Sequence, residues 1–306
     1  MKRLLPGLVS AAIIAVAAVV LYRALSAIDP ADVAASFRAL PAAALVMAGG
    51  FAALAIASLA CYEVVMLREL RPGLAWQRPA VVGLIAYPVG HAIGFGALSG
   101  GAIRYRLYQP LGLGPLEVGK VIVLSALPYA AGLGVLCAVA LLFAAPAAAP
   151  RLNLSVAGAM AIGAALIAAH VAYVVAVLRV RGTLRLRWFE AEFPGPRLTA
   201  FQYAIGLAEV LSAAAVLYVL LPEGAIAGFL PFVAVYVVAI LAGLLSSVPA
   251  GLGVFESMLL LMLRDVPAES LLGAVLAYRL VYELVPFLVG LVLFLGWELV
   301  GRRAKR

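Results

Sequence analysis

The chain has 306 residues, 66% of them apolar and 12% charged, with mean hydropathy +1.15 and a formal net charge of +8. Soluble domains are nearer half apolar and a quarter charged, so an ordinary water-soluble fold is excluded and the solvent is lipid. Helices follow rather than a barrel: backbone groups in lipid are satisfied within each segment, and no strand-length alternation of polar and apolar residues appears.

The apolar run after Met1, Lys2 and Arg3 continues to about Leu25 with no cleavage signal before a polar chain, and reads as a signal anchor over 4–25. A bilayer is crossed by about twenty apolar residues. Further spans are expected at 41–67, 118–145, 153–178, 200–221, 228–248 and 270–298, with Pro41 and Pro79 at helix starts, where a missing N–H costs nothing. Two more apolar segments, 79–103 and 250–263, are broken or short. The expected fold is an all-α, polytopic membrane helical bundle of about eight membrane segments, two of them interrupted by glycine and proline. It forms one domain, 1–306, divisible into halves 1–150 and 151–306.

Basic residues cluster in alternate loops: Lys2 and Arg3, then Arg68, Arg71 and Arg78, then the run from Arg179 to Arg197, then Arg302 to Arg306. The loops 146–152 and 222–227 carry only Arg151 and Glu223. The positive-inside rule then places both termini in the cytoplasm. It requires 79–103 to enter and leave on one side, returning Arg104 and Arg106 there, and 250–263 to reach outward as a short helix. The same distribution accounts for the net charge without nucleic acid as a partner.

Inside or at the ends of these apolar stretches lie Glu63, Arg104, Glu209, Glu256, Arg279 and Glu283. Each charge at mid-bilayer costs about 2.5–3.5 kcal/mol on insertion scales, so a chain that keeps several is expected to hold a polar cavity. Glu63, near Arg68, reads either as a snorkelling interfacial acid or as part of that cavity. Arg279 and Glu283 are four residues apart on one helix, and read either as a self-neutralising pair or as a site.

The two broken segments resemble each other. Tyr87-Pro88-Val89-Gly90-His91-Ala92-Ile93-Gly94-Phe95-Gly96 and Val248-Pro249-Ala250-Gly251-Leu252-Gly253-Val254-Phe255-Glu256 each carry Pro-x-Gly, another glycine and a Phe. Gly/Pro-interrupted segments at corresponding places in two halves point to a transport site, with Pro88, Gly90, Gly94, Pro249, Gly251 and Gly253 as hinges. Gly49-Gly50 and Gly132/Gly134 fit close helix packing instead. In Ser99-Gly100-Gly101-Ala102-Ile103-Arg104-Tyr105-Arg106-Leu107-Tyr108, Arg104 and Tyr108 share a helix face. The guanidinium fork suits a phosphate, whereas Arg106 reads as a topology-setting cation. His91 reads as a phosphate contact or as a packing and capping group.

No nucleophile–base set, P-loop, dinucleotide fingerprint or metal cluster is present, so neither cofactor nor metal is expected. Cys61 and Cys137 read as free packing thiols.

These blocks together resemble the transmembrane family of lysylphosphatidylglycerol synthases and flippases. The match runs through Gly90 to Tyr108, Val248 to Glu256 and Tyr278-Arg279-Leu280-Val281-Tyr282-Glu283-Leu284-Val285-Pro286, with Tyr62-Glu63 at a Tyr-acid position. Full-length members, the multiple peptide resistance factors, add further helices and a soluble aminoacyl-transferase domain that this chain lacks. The resemblance implies a multi-pass protein of the bacterial cytoplasmic membrane, connected with antimicrobial peptide resistance. It would bind and flip a phospholipid such as lysyl- or alanyl-phosphatidylglycerol, with Glu63, Arg104, Glu256 and Arg279 as site positions carried over from the family; His91, Tyr108, Glu209 and Glu283 join them as candidate substrate contacts on the residue pattern. Two rivals stand beside it: the membrane part of a split lysyltransferase with a separate aminoacyl-transferase subunit, and a non-transporting lipid-binding scaffold. A homo-oligomer is compatible with all three.

Overall fold

The computed structural model describes residues 40–93, 96–149, 154–179, 183–186, 189–192, 194–246 and 249–303. The expected span 4–25 and the hinge residue Gly94 lie outside the described residues. The described part is a bundle of helices: α1 (Ala42–Leu70), α2 (Gln77–Ile93), α3 (Gly96–Tyr108), α4 (Pro115–Phe143), α5 (Val156–Arg179), α6 (Pro196–Tyr218), α7 (Phe229–Ser246), α8 (Val254–Met262), α9 (Ala268–Tyr278) and α10 (Val285–Arg303). Six helical stretches are long and apolar enough to cross a membrane, the last formed by α9 and α10 in continuity. They match the six complete spans expected after residue 40. The polar stretch between α5 and α6 holds a two-stranded antiparallel hairpin, β1 (Thr183–Leu186) and β2 (Phe189–Glu192), with Thr183 opposite Glu192.

These helices are apolar nearly all round, as lipid-facing spans are, and small residues decide where they meet. At the crossing of α4 and α6 a Cβ on Gly132 would collide with the backbone of Gly206, and one on Gly206 with that of Pro128. Gly134 backs onto His170 of α5. Gly49 and Gly50, expected to pack helices closely, have no neighbour among the described residues within 4 Å of an added Cβ. The outer side of α5 exposes Val171, Val175 and Leu178, a surface suited to acyl chains.

The first broken segment folds as a helical hairpin. Gly90 and Gly100 bring α2 and α3 into backbone contact, and Ser99 Oγ donates to the Gly90 carbonyl at 2.9 Å. Pro88, expected to break the ladder, lies inside a continuous α2 that runs to Ile93. The proline deprives the Leu84 carbonyl of its N–H partner, and that carbonyl faces Gly290 of α10, where an added Cβ would sit 3.1 Å away.

Two ion pairs fix where the hairpin begins and ends. Arg71, capping α1, bonds Glu117 in the first turn of α4 at 2.9 Å, so the chain between them leaves and returns to one end of the bundle. Arg106 near the end of α3 meets Glu298 of α10 at 2.6 Å, which brings the last helix to that end too. The 13 residues of α3 rise about 20 Å. A hairpin that starts and ends at one end of the bundle is compatible with the re-entrant path expected for 79–103. At the other end, Ala144, Ile226, Pro231, Leu263 and Asp265 line a cavity of about 350 Å³ where α4, the α6–α7 turn and α8 come together.

The second broken segment turns from α7 into the short α8 through backbone that side chains rarely adopt: Ala250 at φ 51°, Gly251 at φ 61° and Gly253 at φ 81°. Gly251 lies against Gly243 of α7. This turn packs against α2, so the two interrupted segments, far apart in the chain, adjoin in space.

Candidate functional site

The intramembrane charges gather into two clusters, each built around one arginine. In the first, Arg104 Nε donates to both Glu63 oxygens at 2.9 and 3.1 Å, and its second terminal nitrogen to Oε2 at 2.9 Å. Tyr108 OH donates to Glu63 Oε1 at 2.9 Å, one helical turn beyond Arg104 as the spacing predicts. Ser125 Oγ of α4 completes the shell at 3.5 Å, and the guanidinium lies over the Tyr87 ring at 4.6 Å. Glu63 is 0% and Arg104 4% exposed, so this pair is sealed in protein and is not an interfacial acid.

The second cluster sits where both irregular backbones meet. Between α9 and α10 the helix widens to a π turn over Arg279–Leu284, just before Pro286. Such bulges interrupt the regular ladder and recur at functional sites. From it Arg279 Nε donates to Glu256 Oε1 at 2.7 Å, and one terminal nitrogen to Glu283 Oε2 at 2.7 Å and to the Ala250 carbonyl at 2.9 Å. Its other terminal nitrogen lies 2.6 Å from Glu256 Oε1. Glu256 Oε2 in turn accepts the Gly253 N–H at 2.8 Å, closing the first turn of α8. One arginine therefore holds the left-handed turn, α8 and the π turn together. The side chains of Arg279, Glu256 and Glu283 keep 12, 20 and 21% exposure, so this cluster is more open than the first.

Glu209 of α6 stands between the two. It is 2% exposed, its Oε1 accepts the Tyr282 hydroxyl at 2.8 Å, and its Oε2 has no hydrogen-bond partner. Aromatic rings join the three regions. Tyr62 meets Tyr87 edge to face at 6.1 Å, Tyr282 stacks on Tyr278 at 5.3 Å, and the Tyr278 and Tyr236 hydroxyls are 2.9 Å apart.

The structure thus brings together Glu63, Arg104 and Tyr108 in one cluster and Glu256, Arg279 and Glu283 in the other. His91 joins neither: it is exposed in the last turn of α2. The charges do not face hydrocarbon singly, but here they are packed against one another rather than around an open chamber. Sequence reasoning missed Tyr87, Ser125 and the Arg106–Glu298 pair. A tyrosine deep in a span was the available signal, since its hydroxyl needs a partner there.

Fold and site define a polytopic helical membrane protein with a charged, tyrosine-rich interior. No family model matches the chain. It is 29% identical over 270 residues to an uncharacterized protein of Synechocystis sp., covering 85% of this chain and 82% of that protein. It is also 27% identical over 285 residues to phosphatidylglycerol lysyltransferase of Staphylococcus aureus strain COL, covering 90% of this chain. The corresponding protein of strain MRSA252 is 26% identical over 289 residues. The chain spans only 32% of the length of the lysyltransferase, to which it is related as a membrane-embedded part.

Proposed function

We propose that the chain is a single lipid-translocating domain that moves an aminoacylated phosphatidylglycerol, such as the lysyl or alanyl form, across the bacterial cytoplasmic membrane. The observation that carries this reading is the Arg279 cluster, in which the second interrupted segment and the π turn share a partly exposed arginine with two carboxylates. A lipid bearing a phosphate and an ammonium group has the complementary charges. Arg279 takes the phosphate, Glu256 and Glu283 take the ammonium, and the acyl chains stay in lipid. Glu63, Arg104 and Tyr108 clamp the α2–α3 hairpin and part when it rocks about the close approach at Gly90 and the turn at Gly251. The kinship with phosphatidylglycerol lysyltransferase supports the choice of lipid.

The test is outward exposure of lysyl-phosphatidylglycerol in reconstituted vesicles, read with a membrane-impermeant amine reagent. Wild type should expose the lipid, and Glu256→Gln and Arg279→Lys should slow it at least tenfold. Equal rates in all three would defeat the site assignment. Lipid that binds and never crosses would establish a scaffold.

The partial coverage of the lysyltransferase favours a second reading, the membrane part of a split synthase working with a separate aminoacyl-transferase subunit. Labelled aminoacyl lipid, formed when the purified chain meets charged tRNA and phosphatidylglycerol, would put enzyme activity in this chain itself.

A further inference from the structure

We infer that Glu209 is a proton-binding site at the centre of the bundle, and that it carries a proton through the cycle rather than touching the lipid. Among the described residues, the other buried carboxylates have arginine partners: Glu63 pairs with Arg104 and Glu298 with Arg106. The half-buried Glu256 and Glu283 share Arg279. Among the described residues Glu209 has no cation. An ionised carboxylate removed from water without a counter-charge is so costly that the group takes up a proton instead.

The surroundings fit that chemistry. Tyr282, from the π turn, donates to Oε1 at 2.8 Å and leaves Oε2 without a partner. Tyr62, from α1, is 0% exposed and its hydroxyl is likewise unpartnered. Tyr62 and Tyr129 of α4 both lie within electrostatic reach of Glu209. Tyr278 of α9, bonded to Tyr236 of α7, stacks on Tyr282, and His170 of α5 bonds Tyr203, two turns from Glu209 along α6. No arginine or lysine acts on Glu209 from these neighbours. Protonated, the carboxyl is a neutral acid with an O–H at Oε2; deprotonated, it leaves an uncompensated charge beside Tyr282, Tyr62 and Tyr129. Because Tyr282 lies in the same π turn as Arg279, loss of the proton destabilises the closed arrangement beside the lipid cluster.

The coupling half of this inference rests on the translocation reading; the proton site does not. Infrared difference spectra of the purified protein across a pH titration should contain one protonated-carboxyl C=O band that shifts in D₂O. The band should disappear in Glu209→Gln, a near-isosteric mimic of the neutral acid, and move in Glu209→Asp. In vesicles with lysyl-phosphatidylglycerol, a tenfold proton gradient should shift the steady-state lipid distribution up to about tenfold per proton carried. Glu209→Gln should abolish that shift. Loss of the effect on replacing sodium with choline at constant pH would make the ion Na⁺ and overturn the inference, as would no titrating band in wild type. Gradient-independent lipid movement in wild type would sink the coupling and spare translocation. A Glu209 band without any lipid movement would do the reverse.

Discussion

Arg104 on α3 reaches across to Glu63 on α1 and grips both carboxylate oxygens through bonds of 2.9 to 3.1 Å, with neither residue open to solvent. This pair clamps the α2–α3 hairpin to the first described span. Removing one partner strands the other charge in low dielectric, which costs about 3–5 kcal/mol, whereas removing both costs far less. Arg104→Met should therefore lower thermal stability in detergent sharply, and Glu63→Gln with Arg104→Met should recover most of the loss. Additive losses in that double-mutant cycle would mean the two charges are not coupled.

The crossing of α4 and α6 has no room for a side chain. A Cβ on Gly132 would enter the backbone of Gly206, so Gly132→Val should separate the helices and cost at least about 1–3 kcal/mol. Gly49→Val, with no described neighbour within 4 Å of its added Cβ, should behave as wild type. Size-exclusion profiles after mild heating compare the two directly.

Spans, the α2–α3 hairpin and the arginine-centred clusters were legible because each rests on a local signal. Hydropathy marks the helices, alternating basic loops demand the return of 79–103, and a charge in an apolar run demands a partner. What was not legible is which partner. Glu63 was read beside Arg68, five residues on, yet it pairs with Arg104 through a tertiary contact that no spacing encodes. The proline at 88 points to a break, yet it lies inside a continuous α2. Arg106 resembled a topology signal because its partner, Glu298, lies at the far end of the chain.

Ala250 is the one described residue other than glycine with positive φ, at 51°. Such backbone costs of order 1–3 kcal/mol in a residue with a Cβ, and here Arg279 holds the Ala250 carbonyl at 2.9 Å. Ala250→Gly should raise the melting temperature and make the turn less dependent on that contact. The destabilisation caused by Arg279→Gln should then be smaller in the Ala250→Gly background. An undiminished effect would show that Arg279 does not restrain the turn.

The Arg71–Glu117 contact makes a topological claim that labelling can read. With Cys61 and Cys137 replaced by alanine, Gly73→Cys before α2 and Gln109→Cys after α3 should both react with an impermeant maleimide from one side of the membrane. Glu223→Cys, in the turn at the opposite end, should react from the other. All three parent residues are exposed, so absence of labelling would not arise from burial. Had 79–103 crossed once, Gly73→Cys and Gln109→Cys would label from opposite sides. The contact at 2.9 Å between α1's cap and α4's first turn would then be impossible, because some 30 Å of hydrocarbon would separate its ends.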